Sequence, residues 1–309
     1  ETCCRKSIEL NPNLFNSHFL LANILIGQKK LQEAEQSLRK TIELKPDFFQ
    51  AHLNLGTVLK DLGQLKEAEV STRNAIALNP SFARTHSNLG SILCDLGNLK
   101  EAEISYRKAI EIKPNFANAY SNLGIILSNL GKLKEAELFT RKAIALKPDS
   151  PDFYYNLSLL ELQQGNYQSG FENYEFRFIA KEPCEIYGVP NIKKKDNRAF
   201  KKGEKILIAS EQGLGDILLY MRYVPFIRKL GLNVLFSAPQ KLHTLIKASN
   251  IDQNPLTPEQ VGQVSEGKFI PLLSLPRYLK VKPNNPIISD PYIFSTDELR
   301  KKWQNILSK

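Results

Sequence analysis

Three consecutive stretches overlay without a gap: KPDFFQAHLNLGTVLKDLGQLKEAEVSTRNAIAL (45–78), NPSFARTHSNLGSILCDLGNLKEAEISYRKAIEI (79–112) and KPNFANAYSNLGIILSNLGKLKEAELFTRKAIAL (113–146). Pro12, Pro46, Pro80, Pro114 and Pro148 mark the same period of 34 residues over a wider span. Each unit reads as a helical hairpin. His52, Leu55, Gly56 and Leu59 fall on one face at i, i+3, i+4 and i+7. Gly63 supplies a left-handed cap, Leu65, Ala68, Thr72 and Ala75 form the apolar stripe of the returning helix, and Pro80 stops it. Small residues set how closely the helices approach: Gly56, Gly90 and Gly124 on the first helix, Ala68, Ala102 and Ala136 on the second, with Ala75, Ala109 and Ala143 at the seam to the next unit.

The period and pattern resemble the tetratricopeptide repeat (TPR). The units run as a partial repeat at 1–14 (ETCCRKSIEL), then 15–48, 49–82, 83–116, 117–150 and a divergent 151–180. The first full unit carries Lys29 in the capping-glycine slot and Ala22 in the Gly56 slot. The last carries Ser158 and Gly170 in the glycine and alanine slots and ends in GFENYEFRF (170–178). A worn terminal repeat is expected to pack against something other than another repeat. The opening half-unit lacks a partner helix, so Glu1 reads as a cut in a longer array.

The first helices of such an array line its concave side. There Asn54, Asn88, Asn122 and Asn156 recur at one position, with Leu20 in that slot of the first unit. A side-chain amide offers a donor and an acceptor together, which suits the backbone of an extended peptide. The AHxNLG and LKEAExxxRKAI phrasing is similar to the repeats of O-linked GlcNAc transferases, and the resemblance implies an asparagine ladder that holds substrate peptides. The alternative is hydrogen bonding between adjacent repeats. No basic cluster faces inward to clamp a C-terminal carboxylate. His18, His52 and His86 share a slot that Tyr120 and Tyr154 fill later, which marks packing rather than a metal or catalytic role.

Charge changes after residue 180. Residues 1–180 hold 21 Lys and Arg against 20 Asp and Glu, whereas residues 181–309 hold 21 against 12. Residues 181–203 read as a basic linker, with Lys193, Lys194, Lys195, Arg198, Lys201 and Lys202. A solvated connector is the simplest account, and binding to phosphate or an acidic surface is the other. Interleaved aromatics and a recognition helix are both missing from it, so no nucleic-acid partner is expected. KILIAS (205–210) and NVLFSA (233–238) read as strands, FIPLL (269–273) as a candidate third, ILLYMRYVPFIRKL (217–230) as a helix interrupted or bent near Pro225, and the terminal STDELRKKWQNILSK (295–309) as helix-like. The alternation implies a parallel, doubly wound sheet over 204–309. The fold class expected is therefore mainly α: a TPR solenoid followed by a smaller α/β Rossmann-like domain.

Ligands of such sheets sit at the carboxyl ends of the strands, which singles out EQGLGD (211–216). A dinucleotide fingerprint fails, because Leu218 stands where the third glycine belongs and the second strand ends in Ser237 and Ala238, with no acid. Neither a GxxxxGK[ST] loop nor metal-ligand spacing among Cys3, Cys4, Cys94 and Cys184 is present, so no cofactor or metal is expected. Asp216 reads either as a helix N-cap or as a general base. KILIASEQGLGDILLYMRYVPFIRKLG (205–231) with LLSLPRYL (272–279) resembles the module following repeats in bacterial TPR glycosyltransferases, which is similar to glycosyltransferase family 9, the heptosyltransferases. The resemblance implies the first half of a two-domain GT-B fold, with Asp216 as the base for the acceptor hydroxyl and Glu211, Gln212, Gly213 and Gly215 on the acceptor side. It also implies a nucleotide-sugar donor, whose half-site would lie in a full-length parent and leave this chain alone inactive. The competing reading is a non-catalytic adaptor with a docking α/β domain. Sparse cysteines suit a reducing, cytoplasmic setting, and no apolar run is long enough to span a bilayer.

Overall fold

The computed structural model describes residues 1–211, 213–285, 287, 291–294, 298 and 301. The chain forms two compact units, Glu1–Asn156 and Leu157–Lys309.

The first unit is a succession of antiparallel helix pairs. Helix α1 (Thr2–Leu10) precedes α2 (Phe15–Gly27) and α3 (Leu31–Leu44), α4 (Phe49–Asp61) and α5 (Leu65–Leu78), α6 (Ala83–Asp95) and α7 (Leu99–Ile112), and α8 (Ala117–Asn129) and α9 (Leu133–Leu146); α10 (Pro151–Gln163) then begins. The glycines on the first helices are needed by contact. A Cβ at Gly56 would lie 2.2 Å from Thr72 Oγ1, and one at Gly124 would lie 2.3 Å from Thr140 Oγ1. At Gly90 the ring of Tyr106 lies 2.9 Å from that point. The alanines at 68, 75, 102, 109, 136 and 143 are fully buried. Gly63, Gly97 and Gly131 adopt φ of 78°, 79° and 75°, and Lys29 is held at 60° in the same slot of the first pair.

Two further periodic devices join the pairs. The ring Nε2–H of His18, His52 and His86 donates to the carbonyl of Pro12, Pro46 and Pro80 at 2.8–2.9 Å. This ties each first helix to the turn that precedes it. On the second helices an arginine bonds a glutamate four residues back and another in the next repeat: Arg39 to Glu35 and Glu67, Arg73 to Glu69 and Glu101, Arg107 to Glu103 and Glu135. Arg5 begins this ladder by pairing with Glu1 and Glu33.

The second unit contains α11 (Tyr167–Tyr174), a 3₁₀ turn at Glu175–Phe178, β1 (Lys205–Ala209), α12 (Leu214–Tyr220), α13 (Tyr223–Lys229), β2 (Asn233–Ser237), α14 (His243–Ala248), α15 (Pro258–Val261), β3 (Lys268–Pro271) and α16 (Leu275–Tyr278). The three strands form one parallel sheet in the order β2-β1-β3, with Ile208 opposite both Phe236 and Ile270. Ile206, Ile208, Phe236 and Ile270 are buried together with Ile217, Val224, Ile227 and Ile246 from the helices and Phe171 from α11. The worn end of the repeat pattern therefore contributes to the core of the α/β unit.

Of three local expectations, one is sharpened, one is corrected and one falls outside the described residues. The helix expected to be interrupted or bent near Pro225 is interrupted: it is two helices broken at Met221 and Arg222, and Pro225 sits in the first turn of α13, where a missing N–H leaves no bond unmade. The segment expected to be a solvated linker is fastened to the sheet: Lys195 N–H donates to the Phe269 carbonyl at 2.9 Å, and Phe269 N–H to that of Lys193 at 3.1 Å. Lys195 is only 5 % exposed, with Nζ 3.3 Å from Glu204. The terminal stretch from 295, expected to be helical, lies outside the described residues apart from 298 and 301. Among the described residues no helix is long and apolar enough to cross a membrane.

Candidate functional site

The amide ladder of the first unit is built by the 34-residue period, which sets one asparagine on each of four first helices. All four are half-buried. Asn54 Nδ2 donates to Asn23 Oδ1 at 2.8 Å, Asn88 to Thr57 Oγ1 at 3.0 Å and Asn156 to Ser121 Oγ at 3.1 Å. Asn122 hydrogen-bonds with Tyr106, whose phenol burial pushes well above its ordinary pKa although the bonds to Ser91 and Asn122 act the other way. Every ladder amide thus reaches the preceding repeat. Where the amide nitrogen donates, the side chain is locked in orientation and its carbonyl oxygen is held in a fixed direction. Leu20, in the same slot of the first pair, is 55 % exposed and makes that end of the row apolar.

In the second unit the carboxyl ends of β1 and β3 are adjacent, because β1 leads to β2 on one side and β3 lies on the other. Such a reversal of strand order is where open α/β sheets leave a crevice. Here Glu211 and Arg177 fill it. Arg177 Nε and Nη2 donate to Glu211 Oε2 and Oε1 at 2.8 and 2.9 Å. Its Nη1 donates to the Tyr174 carbonyl at 2.9 Å and to Glu175 Oε1 at 3.2 Å, and Nη2 also reaches Ser274 Oγ at 3.0 Å. All five guanidinium N–H groups are therefore used. The guanidinium lies over the rings of Phe178 and Tyr174, 4.0 and 4.4 Å from their centroids. Leu273 N–H donates to Glu211 Oε1 at 3.0 Å, and Ser274 Oγ–H to Glu175 Oε1 at 2.6 Å. Burial opposes charge on both partners. For Arg177 it is outweighed by Glu211 and Glu175, so its pKa is raised; for Glu175 it is outweighed by Arg177, Lys194 and Ser274, so its pKa is lowered.

Glu211, expected on the acceptor side, is fully buried and its carboxylate is occupied by this network. It is a structural anion. Gln212 lies outside the described residues. Gly213 is the N-cap of α12 with φ 102°, and Asp216 Oδ2 would lie 2.9 Å from a Cβ placed there. Asp216 is therefore not an N-cap. It sits in the first turn of α12, exposed, where the helix dipole favours a carboxylate. Gly215 has an ordinary φ, and a Cβ there would meet nothing within 4 Å, so nothing in the packing requires a glycine. The structure thus brings Gly213, Gly215 and Asp216 together at the surface and takes Glu211 away from them. The sequence reading missed Arg177, whose EFR context looked like the decay of a repeat.

The first unit is by its architecture a helical-hairpin repeat scaffold. Tetratricopeptide-repeat family models match residues 3–36, 49–82 and 117–150, and a further TPR model matches residues 90–131. The chain therefore carries tetratricopeptide repeats, and these matches all lie within residues 3–150. Among solved structures, the Cut9–Hcn1 hetero-tetramer of APC/C is 16% identical, covers 57% of this chain and 35% of that one, and superposes with a TM-score of 0.51. YrrB, described as a TPR protein with an unusual peptide-binding site, is 24% identical over 58% of this chain and 92% of its own, with a TM-score of 0.47. TTC0263, a thermophilic TPR protein of Thermus thermophilus, is 19% identical over 54% and 91%, with a TM-score of 0.48. No curated protein matches the chain.

Proposed function

We propose that the repeats, a protein-interaction scaffold by their fold, hold an extended protein segment along Asn54, Asn88, Asn122 and Asn156. The observation that supports this is the tethering of each amide to the repeat before it. Bonding between repeats and binding a peptide are not exclusive here. An amide fixed through its nitrogen can accept from a peptide N–H without losing side-chain entropy on binding. Selection of extended peptides on an array, followed by fluorescence anisotropy, tests the reading. Asn88→Ala and Asn122→Ala should each weaken a selected peptide by about fivefold to tenfold, the worth of one hydrogen bond. Unchanged affinity in the double variant contradicts it.

A second reading concerns the α/β unit, as the acceptor-side half of a glycosyltransferase-like GT-B module with a nucleotide-sugar held by a further domain. Its support is the exposed Asp216 at the carboxyl end of the central strand, beside a glycine that packing does not require. Asp216 would take the proton of an acceptor hydroxyl as its oxygen attacks the anomeric carbon, while the sugar–phosphate bond breaks and the nucleotide leaves with the electron pair. Asp216→Asn in the complete enzyme should abolish transfer and leave peptide affinity intact. Gly215→Ala should slow transfer without lowering stability. Full turnover by Asp216→Asn rules this reading out and leaves the adaptor.

A further inference from the structure

Beside α11, the loop at 197–200 and the chain at 276–282 enclose a cleft of about 530 Å³, within the size range of small-molecule sites. Its apolar lining includes Phe171, Phe200 and Tyr278, the last two with ring centroids 6.1 Å apart. Its charged lining is Arg198, Arg277, Lys280 and Lys282 against the single carboxylate of Glu172. Arg277 donates to Asn197 Oδ1 at 2.8 Å and has Nη1 3.8 Å from Glu175, whereas the Arg198 side chain is 83 % exposed with Nε 3.5 Å from Asp196, which leaves Lys280 and Lys282 as the cations without a carboxylate among the described residues. Past Lys282 the cleft continues into a more open hollow of about 470 Å³.

Lys280 is the informative residue. It follows α16 with φ 53°, in the left-handed region. Six glycines of this unit, at 165, 188, 203, 213, 231 and 267, occupy positive φ without that strain. A lysine stands at a position that suits glycine, on the rim of a cleft with three other cations in its lining, and among the described residues it makes no ion pair. Flat rings at the wall and excess positive charge at the mouth call for a ligand that is planar at one end and multiply anionic at the other.

We propose that this cleft binds a nucleoside phosphate, the ring lying against Phe200 and Tyr278 and the phosphates meeting Lys280, Arg277 and Arg198. The cleft shares no residue with the amide ladder or the Asp216 loop, so the proposal stands apart from both functional readings. Calorimetric titration of the intact chain with ADP, adenosine and pyrophosphate tests it. ADP should bind in the micromolar range, more tightly than either fragment, and should weaken as salt is raised. Lys280→Gly removes the cation while relieving the backbone, so it should fold at least as well and yet bind ADP about tenfold more weakly; Arg198→Gln should weaken it further. No heat at millimolar ADP overturns the proposal, as does unchanged affinity in the folded Lys280→Gly variant. Pyrophosphate binding as tight as ADP overturns the ring's part, and capture of a polyglutamate peptide without ADP binding makes the cleft an acidic-peptide site instead.

Discussion

The two units use arginine–glutamate pairs in opposite ways. In the repeats the pairs are repeated, shared between neighbours and at least partly open to solvent, as at Arg73 with Glu69 and Glu101, so stability is spread thinly along the array. In the α/β unit one arginine, 2 % exposed, carries a bidentate pair and three further bonds at the junction of β1 and β3. An exposed pair is worth at most about 1 kcal/mol. A buried one is costly to break because the abandoned partner keeps its charge without its solvation.

Arg177 gives the largest expected effect. Arg177→Ala should destabilise the α/β unit by about 3–5 kcal/mol, read as lost hydrogen-exchange protection of β1 amides at Ile206–Ala209. The double variant Arg177→Met, Glu211→Leu should recover much of it, and failure to do so would mean the network matters for more than charge pairing. The same network predicts a pH dependence. Glu175 is held below the ordinary carboxylate value by Arg177, Lys194 and Ser274 against the effect of burial. Its contribution is present above the unfolded value of about 4.3 and is lost as pH falls through the lower folded value. Protection of β1 should therefore decline below pH ~4, and a flat profile there would count against the pairing.

Gly56 is the counterpart in the repeats. Gly56→Ala should cost about 1–3 kcal/mol through collision with Thr72 Oγ1, and Thr72→Ala should relieve part of that cost in a double-mutant cycle. The smallest effect has the opposite sign. Lys29→Gly should raise the melting temperature modestly, worth about 1 kcal/mol, because that slot is already at φ 60°.

Periodic features were legible in the sequence and solitary ones were not. The 34-residue spacing showed the helix pairs, the close glycines and the histidine slot, because each position was repeated three or more times. The Arg–Glu ladder was written there too, as Glu-x3-Arg with a second glutamate 28 residues on, a spacing that only helix pairing makes meaningful. All three strands fell within a residue or two of their apolar runs. Arg177 and Glu211 had no such signal: they are 34 residues apart by coincidence, on a turn and a strand end, and only the fold brings them together. Lys195 was misread because a lysine triplet looks solvated, although its aliphatic stem can lie buried with the amine at the edge. The N-cap reading of Asp216 fails because α12 starts at Leu214, before the apolar run that announces it.

The most direct test of the central claim is to follow the side-chain amide signals of Asn54, Asn88, Asn122 and Asn156 by NMR while a selected peptide is added. Shifts in all four that saturate with the binding curve are predicted. A peptide that binds and leaves those four signals unmoved would contradict the ladder as the site of recognition.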